Sequence, residues 1–200
     1  MYLSDVDIKK ALKKGEIKID HFDESRLQPA SYDILLDNKF IITDAHFTDY
    51  IDPVRKVFPK TREVVISDNE MFTLHPGMNV LGSSMDFFGS EKYLIQLSGK
   101  SSLARIGLVV HNTAGVINPG HFLHITFELS NVNSVPIILR PKMAIGQILF
   151  SVLSSPTEKQ YKDTGRYHKN DWTSYIPPKE KMPTMKVFTE KAMKAKTKKR

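Results

Sequence analysis

From Gly15 onward the chain is written in short apolar runs rich in Ile, Val, Phe and Tyr. Pro, Gly, Asn and Asp cut these runs at intervals of roughly ten residues. Runs this short suit strands that bury alternate side chains, and they leave little room for long amphipathic helices. The pattern predicts an all-β sandwich or barrel. Candidate strands are Ser31 to Leu36, Lys39 to Thr43, Val64 to Ile66, Met71 to Leu74, Asn79 to Ser84, Tyr93 to Leu97, Leu108 to His111, His121 to Leu129, Val135 to Leu139 and Ile145 to Leu153. One helical signal precedes them. Ser4 followed by Asp7 makes a capping-box-like start, Ile8, Ala11 and Leu12 recur at helical spacing, and Gly15 closes the segment. With 200 residues, 40% of them hydrophobic, one core is expected, since a chain of about 150 residues already buries about two thirds of its unfolded surface.

The chain contains no Cys. That excludes disulfide frameworks, thiolate nucleophiles and Cys-ligated zinc, and it is compatible with a reducing compartment. The opening Met1-Tyr2-Leu3-Ser4-Asp5 lacks the basic and apolar regions of a secretory signal. No run approaches the ~18 apolar residues of a membrane span. A cytoplasmic protein without a membrane partner is expected. The net charge of +7 points toward nucleic acid until its location is read: residues 186–200 hold seven cations against Glu190, so this tail carries six of the seven charges. A terminal lysine run is more often a solvated extension, whereas a domain that reads DNA spreads its basic charge over a folded face. Nucleic-acid binding by the folded part is not expected. The expected organisation is one domain over residues 1–178, with a C-terminal arm over about 155–178, followed by a basic tail over 179–200.

Residues able to carry chemistry concentrate between Ser98 and Glu128. Ser98-Gly99-Lys100-Ser101-Ser102-Leu103-Ala104-Arg105 sets a glycine, hydroxyls and two cations within eight residues. Small residues let backbone amides approach phosphate oxygens, hydroxyls donate to them, and Lys and Arg neutralise their charge. The stretch is not a Walker loop, because the earlier glycine is missing from Tyr93-Leu94-Ile95-Gln96-Leu97. By composition alone, an ordinary polar turn is the better reading. Thr113-Ala114-Gly115-Val116-Ile117-Asn118-Pro119-Gly120 reads either as a plain hairpin connection or as a tight turn presenting backbone to a base edge. In the strand that follows, Ile125, Phe127 and Leu129 share one face while His124, Thr126, Glu128 and Ser130 share the other. A strand Glu usually lies on the solvated face of an antiparallel sheet; covered by a partner subunit, it becomes a candidate for proton shuttling. The stretch Ser155 to Pro178 is poor in aliphatics but carries Tyr161, Arg166, Tyr167, Trp172 and Tyr175, which suits a surface arm and a flap over a ligand equally. Among the seven His there is no His-Glu-x-x-His spacing, and without Cys there is no zinc nucleoside deaminase signature.

Taken together, Gly99 to Arg105, Thr113 to Gly120 and His124-Ile125-Thr126-Phe127-Glu128-Leu129-Ser130-Asn131 resemble the dCTP deaminase branch of the dUTPase-related superfamily. So do Leu3-Ser4-Asp5, Leu27-Gln28-Pro29-Ala30-Ser31 and Ile145-Gly146-Gln147; the blocks run in order over roughly residues 1–170. The resemblance implies a mostly β, distorted β-barrel or jelly-roll-like fold with a short N-terminal helix, assembled as a homotrimer with sites between subunits. It implies hydrolytic deamination of dCTP to dUTP and ammonia. Glu128 would be the acid/base, supported by Ser101 and Arg105. The triphosphate would bring Mg²⁺ to Lys100, Ser101, Ser102 and Arg105, along the Leu103-Ala104 backbone, with no zinc. The sugar would lie near Asn118 and the cytosine edge against Ala114, Gly115, Val116, Thr126 and Phe127. Gln147, Tyr161, Arg166 and Asn170 would complete the pocket, and dTTP is a candidate feedback ligand.

This chain departs from the family pattern at Asn118, where an Asp is usual, and at Arg166 and Asn170, where the arm usually carries Lys and Gln. Gly115 with Val116, and Lys100, resemble members that continue to dUMP and diphosphate. Asn118 argues against that step, so the two products stand even here. The rival readings are a dUTPase without deaminase activity and a non-catalytic nucleotide-binding regulator.

Overall fold

The computed structural model describes residues 1–44, 49–55, 57–165 and 167. Helix α1 spans Asp5–Lys13, as the capping signals predict. Ser4 Oγ accepts the Asp7 N–H at 3.4 Å, Asp5 and Asp7 lie in the first turn, and Lys10 and Lys13 lie in the last. These charges oppose the helix dipole at each end. Gly15, at φ +70°, supplies the left-handed residue that ends the segment. Ile8 and Ala11 are buried against the sheet.

Twelve strands follow: β1 (Lys18–Ile19), β2 (Leu27–Gln28), β3 (Ser31–Asp44), β4 (Lys60–Val65), β5 (Phe72–Leu74), β6 (Asn79–Ser90), β7 (Leu94–Gly99), β8 (Leu108–Val109), β9 (Val116–Ile117), β10 (His121–Asn131), β11 (Ile137–Leu139) and β12 (Ala144–Ser151). The main sheet runs β8-β10-β6-β3-β12-β7-β9, with β1, β2 and β4 attached beside this path; β5 and β11 form a separate pair. Every pairing is antiparallel. Edge strands β8 and β9 are consecutive in sequence, so the segment between them runs from one margin of the sheet to the other. Along it the Glu128 N–H donates to the Val110 carbonyl at 3.2 Å and the Leu97 N–H donates to the Gly115 carbonyl at 2.7 Å. The sheet therefore curls on itself, and Tyr32, Phe40, Phe88, Phe127 and Phe150 fill its inside.

Several expected boundaries move. β3 is one strand of 14 residues, whereas the sequence suggests two separated by Asp37-Asn38. The polar pair sits at a register shift between Leu36 and Phe40, and the Asn38 amide donates to the Ile66 carbonyl at 2.9 Å, so the interruption is absorbed as a bulge. β6 continues to Ser90 instead of ending at Ser84, because Asp86, a poor strand residue, is buried there against Arg26. Val116–Ile117, read above as part of a turn, pairs with β7. The strands expected over Leu108 to His111 and Val135 to Leu139 shorten to Leu108–Val109 and Ile137–Leu139. β7 and β12 each shift by one or two residues at their ends.

Gly89 lies between β1 and β10, paired with Lys18 on one side and Phe122 on the other. A Cβ there would fall 2.4 Å from Phe122 Cδ1 and 2.7 Å from the His121 carbonyl oxygen. The ring can rotate away and the carbonyl cannot. Gly89→Ala is expected to destabilise the protein by about 1–3 kcal/mol, the usual cost of overpacking. A denaturant melt against the parent chain checks this.

Candidate active site

β10 alternates between buried and half-buried residues along its whole length. Phe127 and Leu129 are fully buried, while Thr126, Glu128 and Ser130 lie on the half-buried face, as the period-two pattern predicts. Glu128 pairs with Leu81 on β6 and lies beside the closing segment. Its Oε2 accepts the Asn112 N–H at 2.8 Å, and Ser130 Oγ stands 3.5 Å from Asn112 Oδ1. The carboxylate is thus fixed two residues ahead of Ala114-Gly115-Val116. Nothing in the sequence singles out Asn112. It earns its place through a backbone amide, which every residue but proline carries.

Gly115 is buried and its carbonyl is tied to Leu97; a Cβ would sit 3.0 Å from the Leu97 oxygen and 3.2 Å from His111 Cε1. This close approach keeps the turn flat against β7. Val116 is exposed beside it.

The hydroxyl- and cation-rich block divides in two. Ser98 and Gly99 finish β7, and Ser101–Ala104 form a single helical turn, α2, behind Lys100. Ser101, Ser102, Ala104 and Arg105 are exposed and Leu103 is partly buried. Lys100 is not extended into solvent: its ammonium is paired with Asp33 on β3. Asp33 also accepts from Gln28 Nε2 at 3.3 Å. Gln147, paired across the sheet with both Asp33 and Ser98, donates to the Gly99 carbonyl at 3.1 Å and accepts the Ser31 hydroxyl at 2.7 Å. Asp33, Gln28 and Ser31 were not singled out as site residues by sequence. The available signal was a carboxylate in an apolar strand, where Tyr32, Ile34 and Leu36 are all fully buried.

Asn118 is exposed at the turn between β9 and β10, and its carbonyl accepts the His121 N–H at 3.2 Å. The arm comes down on this turn. Tyr161 opens a four-residue helix, α3 (Tyr161–Thr164), and its ring stacks on His121 with centroids 3.9 Å apart at 15°. The Tyr161 N–H donates to the Pro119 carbonyl at 3.0 Å, and the Tyr167 N–H donates to the Tyr161 hydroxyl at 3.3 Å. Arg166 and Asn170 lie outside the described residues, as do Trp172, Tyr175 and the basic tail. Three separate clusters result: Glu128 with Asn112 ahead of the Ala114–Val116 turn, Lys100 with Asp33 at the end of β7, and Tyr161 with Pro119 and His121 next to Asn118. Within one chain, among the described residues, no hydrogen bond joins Glu128 to Ser101 or Arg105.

The described residues form a curled, antiparallel, mostly β fold with a carboxylate beside its closing segment. The chain belongs to the dCTP deaminase-like family, whose model matches residues 2–153. It is 45% identical over 162 residues to the dCTP deaminase, dUMP-forming, of Corynebacterium jeikeium, covering 80% of this chain and 86% of that one. It is 48% identical over 162 residues to the protein of the same description from Tropheryma whipplei, covering 80% and 83%. The crystal structure of 2′-deoxycytidine 5′-triphosphate deaminase from Agrobacterium tumefaciens superimposes with a TM-score of 0.57 at 20% identity. That match covers 76% of this chain and 48% of the other, so this chain spans about half the length of that solved relative.

Proposed function

We propose that this chain deaminates dCTP and carries the product on to dUMP and diphosphate. The observation that carries the reading is the Glu128 carboxylate, held by the Asn112 amide two residues ahead of the Ala114–Val116 turn. Identity of 45–48% to relatives described as dUMP-forming supports the second step. Water adds to C4 of the ring as Glu128 takes its proton. The C4–N3 double bond opens onto N3; the proton held by Glu128 then passes to the amino nitrogen, which leaves as ammonia as that electron pair returns, and the remaining hydroxyl proton moves to N3, leaving a C4 carbonyl. One carboxylate serves both transfers when it is positioned and screened from bulk water. In the second step a further water attacks the α-phosphorus and diphosphate departs. Ser101 and Arg105 support the polar cluster around the base.

The ammonium, hydroxyls and guanidinium of Lys100, Ser101, Ser102 and Arg105 are donors and suit phosphate oxygens. Magnesium would reach the site on the triphosphate, neutralising its charge. Backbone of Ala114, Gly115, Val116, Thr126 and Phe127 would read the cytosine edge, Asn118 and Tyr161 the sugar side. Since Glu128 and Arg105 are not joined within one chain, we read the active assembly as a homotrimer whose sites lie between subunits. No helix among the described residues is long and apolar enough to cross a membrane.

Chromatography of the products formed from dCTP with Mg²⁺ tests the reading. Equal yields of ammonia, dUMP and diphosphate are expected. Accumulation of dUTP would show that Asn118 in place of an acid has cost the second step, and no consumption of dCTP would overturn the proposal.

A further inference from the structure

The Asp33 carboxylate is sunk in the sheet at 7% exposure. One oxygen, Oδ2, takes the Lys100 ammonium and the Gln28 amide, while Oδ1 is buried with no hydrogen-bond partner among the described residues. Such a group is a poor investment for stability: a well-packed apolar residue of the same volume would serve the fold as well or better. A buried acceptor left unpaired in an otherwise satisfied region calls for another explanation. Among the described residues, the charged partner of the Asp33 carboxylate is Lys100.

We infer that Asp33 is a positioning residue that acts through Lys100, holding its ammonium in place to receive a triphosphate. The inference rests on the reading of Lys100 as a phosphate donor. Lys carries its charge on a flexible four-carbon stem with three N–H donors. Asp33 engages the ammonium through one oxygen, and the Lys100 side chain retains 25% exposure, so donors remain for a phosphate. Asp33 itself is held between neighbouring strands: it pairs with Gln147 on β12, and the Gln147 amide is fixed by the Gly99 carbonyl and the Ser31 hydroxyl. Ordering a lysine stem at the moment of binding costs affinity by about tenfold or more; Asp33 imposes that order during folding. The Coulomb repulsion between Asp33 and an incoming phosphate acts the other way. The intervening ammonium screens it, and we expect pre-ordering to dominate.

The test is binding of inorganic tripolyphosphate, measured by calorimetry on the full chain with Mg²⁺, to the parent, Asp33→Asn, Lys100→Met and the double variant. Asn keeps the shape of Asp and removes its charge. Asp33→Asn and Lys100→Met are each expected to weaken binding about tenfold, with the double variant no weaker than either alone, because both act on one ammonium. The KM for dCTP should rise in Asp33→Asn while kcat changes little, and deoxycytidine, which lacks phosphates, should bind as before. Independent, additive losses would overturn the inference, as would unchanged or tighter tripolyphosphate binding in Asp33→Asn. Coupled losses in a parent chain that does not turn over dCTP would refute the proposed reaction and leave the role of Asp33 standing. Turnover of dCTP with no coupling would do the reverse.

Discussion

Glu128→Gln is expected to lower ammonia release from dCTP by about 10²–10⁴-fold, the range that a single general acid/base contributes. The amide oxygen of Gln still accepts the Asn112 N–H, which Oε2 of Glu128 takes at 2.8 Å. The closing segment therefore keeps its shape, and nucleotide affinity should hold within a few-fold. What the variant would lose, on the proposed mechanism, is the capacity to take a proton from water and return it to the leaving nitrogen. Single-turnover rates with dCTP, set beside the dissociation constant of the variant, separate the two effects. Had the carboxylate served only to anchor Asn112, Gln would do as well and the rate would barely change; that outcome would remove Glu128 from the mechanism.

The second large effect concerns stability. Asp86→Ala is expected to cost about 3–5 kcal/mol, the penalty for stranding the partner of a buried ion pair. Asp86 and Arg26 side chains are 4% and 14% exposed, and the Arg26 Nη1 reaches both carboxylate oxygens at 2.8 and 3.0 Å. Asp86 Oδ2 also accepts the Leu35 N–H at 2.8 Å, and the guanidinium lies 4.7 Å over the Tyr32 ring. Asp86 lies where β6 changes register against β10, between Ser83 and Phe87. Removing the acid leaves a cation against a fully buried aromatic and frees a ladder amide in β3. Replacing both residues with apolar ones of similar volume should cost much less than Asp86→Ala alone. Chemical denaturation of the two variants makes the comparison, and equal losses would mean that packing, not charge, is what the pair provides.

These two sites differ in how far the sequence announced them. Glu128 was legible because β10 alternates cleanly over Ile125, Phe127 and Leu129, and period two is a local property. The helix was legible for the same reason: Ser4 and Gly15 act on residues next to them. Asp86 was not, since its partner lies 60 positions away and a buried acid looks like a strand ending until its cation is found. Lys100 was named for its charge, but Asp33 is 67 positions earlier and looks locally like one more polar residue in a strand. Val116–Ile117 was read as turn because two residues carry too little pattern to declare a strand; they pair only because β7 is there to receive them. The family resemblance supplied what local periodicity does not, the idea that Lys100, Asn118 and Glu128 belong to one pocket.

The segment from β8 to β9 has its two ends fastened to opposite margins of the sheet. It works as a seam, and Glu128, the proposed acid/base, is hydrogen-bonded to it at Val110 and Asn112. A loop that hangs from one edge can grow or shrink with little effect on the body of a protein, since length adds to closure entropy only slowly. A seam has no such slack: its span is set by the circumference of the fold. On the proposed function, substrate recognition would be tied to the closure of the sheet itself, and residues 110–115 would have little freedom to change length.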